Sequence, residues 1–159
     1  MNEKNDNFRI SNDLTSLTEQ QISYLDQEVS EGKGWEFYCN GQVIQSTVFQ
    51  NRLSGIVVEN FDQFSVEVKI SDSQIIGTCN CGIRGQICKH VVALLYSWVN
   101  DGEGFEDVGN SLRLLENKNK EELLAIISRM IVNNPRNIVY CAEDDTILDD
   151  GFEMGELHN

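Results

Sequence analysis

The sequence predicts an α+β fold: an antiparallel β-sheet with packed helices, the last strand and the next helix meeting at a cluster of metal-ligand side chains. Three observations carry this. Between residues 35 and 79 the apolar residues recur with a period near 2. After residue 90 the period becomes 3.6. Between the two regions lies CNCGIRGQICKH, Cys79 to His90, which holds three of the five cysteines and one of the two histidines.

Residues 1–13, rich in Asn and charge, read as a disordered lead-in. A helix follows within 14–32. Thr18 is its N-cap and Gln21 completes a capping box, with Leu17 and Ile22 spaced as a hydrophobic staple. Ile22, Leu25 and Val29 form its apolar stripe, and Gly32 and Gly34 end it.

The strand pattern starts at Trp35. Trp35, Phe37 and Cys39 alternate with Glu36 and Tyr38, and Asn40-Gly41 is a hairpin-turn signal. Further strands are expected at Val43–Phe49, Arg52–Glu59, Gln63–Ile70 and Gln74–Cys79, with Ser71-Asp72-Ser73 as a turn. In the third of these, Phe64, Val66, Val68 and Ile70 face one way and Ser65, Glu67 and Lys69 the other.

Past His90, the residues Val91, Leu94, Leu95, Trp98 and Val99 fall on one helical face. Asp101 to Gly104 breaks that helix, and a short one spans Asp107–Leu115. A last helix has Asn119 as cap and Glu122 at the box position. Its apolar face is Leu123, Ile126, Ile127, Met130 and Ile131, and Asn134-Pro135 stops it. The organisation is therefore a lead-in (1–13), an N-terminal helix (14–32), a β-rich metal-binding domain (35–100), a helical extension (105–140) and an acidic, mobile tail (141–159).

Composition narrows the function classes. The net charge is −14 over 159 residues. Residues 1–32 carry 2 basic and 7 acidic groups, residues 33–98 carry 5 of each, and residues 99–159 carry 5 basic and 14 acidic. A neutral middle between acidic flanks argues against strong nucleic-acid binding by the chain alone, because phosphate contacts need Lys and Arg. No apolar run approaches the roughly 20 residues of a membrane span. The polar, partly acidic N-terminus does not suit a secretory signal. The expected compartment is the cytoplasm, or the nucleus in a eukaryote. In such a reducing compartment clustered cysteines favour metal over disulfide.

The ligand spacing has a geometric reason. Cys79 and Cys81 flank Asn80, and side chains two apart on a strand share a face. Gly82 and Gly85 permit the reversal that returns Cys88 and His90 at a helix start, where the helix dipole favours thiolate. Three thiolates and an imidazole complete a tetrahedral zinc shell, so one structural Zn²⁺ is expected. Three thiolates, a neutral imidazole and Zn²⁺ sum to −1. Arg84 and Lys89 sit inside the motif to offset that charge, and are the candidates for a phosphate or partner contact. A redox role for the Cys79–Cys81 pair is the sharper alternative. Cys39 and Cys141 read as buried small hydrophobes, and His158 as a solvent residue. Trp35, Phe37, Phe64 and Trp98 read as packing residues that could also stack bases.

The pattern Cys79-x-Cys81, a gap, then Cys88-x-His90 resembles the SWIM zinc finger, and Ala93 supplies the small residue common three after the histidine. Upstream, YCNGQV and VENFDQFSVEVKISDSQIIGTCNC resemble the β-rich lead-in of many such fingers. Downstream, LENKNKEELLAIISRMIVNNP resembles a helix that often follows in prokaryotic members. The resemblance covers about Trp35–Asn134 and implies a strand–zinc–helix unit for DNA or protein contact, not an enzyme. SWIM fingers accompany Swi/Snf-type helicases, transposases, some ubiquitin ligases and small partners of RecA-family recombinase paralogues. The chain shows no helicase motif, no transposase carboxylate triad and no RING-like second cysteine set. The small recombination-accessory type is thus the nearest analogue, with a DNA-processing protein as the expected partner. An RNA- or ribosome-associated zinc protein is the other binding reading.

Overall fold

Asp13 caps the first described turn, its carboxylate accepting from the Thr15 amide at the start of a 3₁₀ turn, Leu14–Ser16. The computed structural model describes residues 13–83 and 87–141. The expectations for 1–12 and 142–159, His158 included, lie outside them. The chain divides into two units, residues 1–112 and 113–159.

In the first unit, α1 (Glu19–Ser30) starts with the expected capping box: Thr18 and Gln21 satisfy each other's amides. Ile22 and Leu25 are buried, whereas Val29 is exposed. The chain then departs from the expected strand. Lys33–Cys39 is a second helix, α2. Its cause is a contact that periodicity cannot show. Asp26 on α1, 1% exposed, accepts from the amides of Gly34 and Trp35, both at 3.0 Å. A five-residue alternation is too short to separate strand from helix, and this cap settles it. Asn40-Gly41 accordingly closes a helix, not a hairpin. Gly41 has φ +65°, its amide bonds the Tyr38 carbonyl at 2.9 Å, and the Gln42 amide bonds that of Phe37 at 3.1 Å. This is a Schellman cap, in which a left-handed glycine lets the last carbonyls find donors.

The sheet has the order β4-β3-β2-β1-β5. β1 (Val43–Phe49), β2 (Arg52–Glu59), β3 (Asp62–Ser71) and β4 (Gln74–Cys79) form an antiparallel meander, while β5 (Glu106–Asp107) pairs parallel with β1. Val66, Val68 and Ile70 point inward as the alternation predicts, with Leu53 and Val57 beside them. The β2–β3 turn is Asn60-Phe61, with φ of +51° and +70°. Two left-handed residues are what a two-residue hairpin needs, but Phe is poorly suited to that geometry. Phe61 is also wholly exposed. Phe61→Gly is expected to raise stability by about 0.5–1 kcal/mol, read as a higher urea midpoint at unchanged m-value; a lower midpoint would mean the ring makes a stabilising contact.

Helix α3 (Lys89–Asp101) crosses the inner face of the sheet. The expected single apolar face is too narrow: the eight residues from His90 to Ser97 are all buried. The sheet covers one side and α1 and α2 the other, as befits a helix apolar nearly all round. Each large aliphatic side chain buried here contributes roughly 1.5–3 kcal/mol. Trp98 packs edge-on against Phe105, and its Nε1 donates to the Leu14 carbonyl at 2.9 Å, tying the N-terminal turn to α3. Trp35 meets Tyr96 edge-on at 5.0 Å.

The boundary between the units falls inside α4 (Val108–Glu116). In the second unit, α5 (Lys120–Asn133) has the predicted Asn119/Glu122 capping box, and its amphipathic residues include none that is buried. Pro135–Cys141 follows as a 3₁₀ helix. The cysteines outside the motif differ from expectation: Cys39 and Cys141 are both exposed. Cys39 ends α2, so the core-facing position a strand would have given it does not exist.

Candidate metal centre

The four predicted ligands come from two element ends. Cys79 is the last residue of β4, and Cys81 lies just past it, before Gly82 at φ +89° turns the chain. Cys88 is the N-cap of α3, and His90 lies in its first turn. One donor atom from each lies within 4.8 Å of the other three, and no other group of three or more such residues converges among the described residues. His90 Nδ1 is 3.6 Å from Cys79 Sγ and 3.9 Å from Cys88 Sγ. Bond lengths of 2.3 Å to sulfur and 2.0–2.1 Å to nitrogen place the corners of a tetrahedron about 3.5–3.8 Å apart. The donor set therefore fits one zinc ion. Four protein ligands fill the shell, which makes the metal structural.

The electrostatics couple metal binding to proton release. Burial pushes the Cys79 thiol up to about 12. Burial raises Cys88 too, although the Val91 and His90 amides pull the other way. Cys81 is less buried; desolvation is outweighed by hydrogen bonds from the Ile83 amide and the neighbouring thiols, so its thiol is lowered. Without a cation, at least Cys79 and Cys88 resist ionisation, and a bound Zn²⁺ reverses that balance. Burial lowers His90 and keeps the imidazole neutral, as a ligand must be.

One residue of this site escaped the sequence reading. Glu59, the last residue of β2, places Oε2 3.0 Å from His90 Nε2 and Oε1 2.5 Å from Lys89 Nζ. The Lys89 ammonium holds the Glu59 carboxyl below the usual range against some desolvation. No local spacing signals Glu59, since it precedes His90 by 31 residues. Phe64 stacks on the His90 ring at 4.4 Å, and Phe37 meets it edge-on at 5.4 Å. Of the two predicted contact residues, Lys89 is thus engaged with Glu59 and lies 5.1 Å over the Phe37 ring, its side chain 28% exposed. Arg84 lies outside the described residues.

A five-stranded, mostly antiparallel sheet leading into a Cys3His cluster at a helix start defines a zinc-finger protein of α+β class. Residues 66–98 match the family model of the SWIM zinc finger. The chain thus carries a SWIM finger that takes in most of β3, β4, the four ligands and α3 as far as Trp98. No curated protein and no solved structure matches the chain. No helix among the described residues is long and apolar enough to cross a membrane.

Proposed function

We propose that the protein is a non-enzymatic adaptor that uses its SWIM finger to bind a partner protein engaged in DNA recombination, repair or related processing. The observation that supports this most is the closed four-ligand cluster within the matched segment, which makes the zinc a scaffold for a binding surface. The charge distribution favours a protein partner, since the acidic flanks oppose phosphate. A RecA-family recombinase paralogue is the partner class that the resemblance suggests. Arg84 and Lys89 are the proposed polar contacts, with Lys89 offering the exposed part of its side chain. The expected compartment is the cytoplasm or nucleus.

The test is binding of the zinc-loaded full chain to single-stranded DNA, duplex DNA and a folded RNA across about 50–200 mM salt, beside purification from native cells. Weak nucleic-acid binding, with co-purification of a DNA-processing protein that survives added salt, is the expected result. Tight, steeply salt-dependent RNA binding that disappears in Arg84→Ala with zinc retained would replace this reading with an RNA-associated one.

A further inference from the structure

We propose that Glu59 is the positioning residue of the metal site: it holds His90 in the tautomer that leaves Nδ1 for zinc, while Lys89 holds Glu59 in place. The inference rests on the zinc assignment and adds to it a residue from a different hairpin.

The argument is geometric. A neutral imidazole carries one N–H, and an ionised carboxylate only accepts. With Glu59 Oε2 at 3.0 Å from Nε2, the proton sits on Nε2 and the lone pair on Nδ1. Nδ1 is also the nitrogen that faces Cys79 and Cys88. The ring has little freedom to leave this pose. It is 2% exposed and lies parallel to Phe64, at an interplanar angle of 12°, with Phe37 at 85° on its edge. Carboxylate partners of metal-bound histidines fix ring orientation and raise ligand basicity.

Charge explains the third member. Three thiolates and Zn²⁺ leave the centre at −1, so a bare carboxylate beside it would be repelled. Lys89 at 2.5 Å from the other oxygen cancels the Glu59 charge. A residue that looked like a free cation within the motif thereby serves the metal as well. The consequence is a coupling between the end of β2, one strand beyond the β3–β4 pair, and the ion at the start of α3.

The test is zinc affinity of the full chain, by competition with a chromophoric chelator, for wild type, Glu59→Ala, Glu59→Gln and Asp62→Ala, together with ¹⁵N NMR of the His90 ring. Asp62 is the register partner of Glu59 on the same hairpin and controls for damage to it. Glu59→Ala is expected to weaken zinc binding about 10–100-fold, and Asp62→Ala to leave it unchanged. Glu59→Gln should recover much of the loss, because its amide oxygen still accepts from Nε2–H. In the wild type the Nε2–H signal should be present and slow to exchange, with the metal on Nδ1. Unchanged affinity in Glu59→Ala, equal losses in Glu59→Ala and Asp62→Ala, or metal on Nε2 overturns the proposal. If Glu59→Ala does not fold, Glu59→Gln decides: near-native affinity supports it, and a loss as deep as that of Cys81→Ser overturns it. A wild type that binds no zinc would instead defeat the metal assignment itself.

Discussion

Removing the zinc with a strong chelator is expected to unfold at least Ile75 to Val99. The ion joins the end of β4 to the start of α3, and α3 supplies the buried centre of the first unit. Structural zinc contributes on the order of 10–16 kcal/mol. A whole domain is typically stable by only about 5–15 kcal/mol, so the remaining contacts do not offset the loss. Circular dichroism and backbone NMR should show loss of α3 and β4 on chelation and their return with Zn²⁺. Cys81→Ser should reproduce the metal-free state. Acid should act in the same direction. Zinc binding displaces thiol protons, and the lowered values of His90 and Glu59 belong to groups that take up protons more readily when unfolded. Their contributions are complete above the ordinary imidazole and carboxyl ranges respectively, and are lost as pH falls through the lowered values. Unchanged spectra after verified zinc removal would falsify the structural role. A metal-free chain cycling Cys79–Cys81 between thiol and disulfide would favour the redox alternative.

The parts legible in the sequence were those fixed by neighbours along the chain. β1, β2 and β4 have the expected ends because apolar alternation and turn residues are local signals. The four ligands were legible for the same reason, being confined to twelve positions. Glu59 was not, because its approach to His90 depends on the β2–β3 register and on where α3 lies. The wide burial of α3 was missed with α2, and for one reason. A strand at Trp35–Cys39 would have left the second side of α3 uncovered, so Val92 and Tyr96 had no assigned partner. The helix there depends on a side chain from α1, and periodicity within five residues carries no trace of it.

Asp26→Ala is expected to cost about 3–5 kcal/mol. The carboxylate sits on the buried face of α1, beside Leu25 and one turn from Ile22. It accepts from the Gly34 and Trp35 amides and from the Ser30 hydroxyl. Alanine strands those donors, and each unsatisfied buried group costs about 1–3 kcal/mol. Because Trp35 is half-exposed and can recruit water, the estimate stays below the sum of three full penalties. Asp26→Asn should lose less, since one oxygen still accepts while its NH₂ faces an amide donor. The loss should spread to α3. Gly34 lies so close to Val92 that a Cβ there would stand 2.5 Å from Val92 Cγ1 and 2.9 Å from Asp26 Oδ1. Gly34→Ala therefore attacks the same junction from the other side, by about 1–3 kcal/mol of overpacking or more. The double variant should fall short of the sum of the two, because either change alone already frees the start of α2. Urea unfolding followed by tryptophan fluorescence would read this through both tryptophans, Trp35 beside Tyr96 and Trp98 beside Phe105. Additive losses, or an Asp26→Ala cost below about 1 kcal/mol, would mean that α2 is held by its apolar face alone.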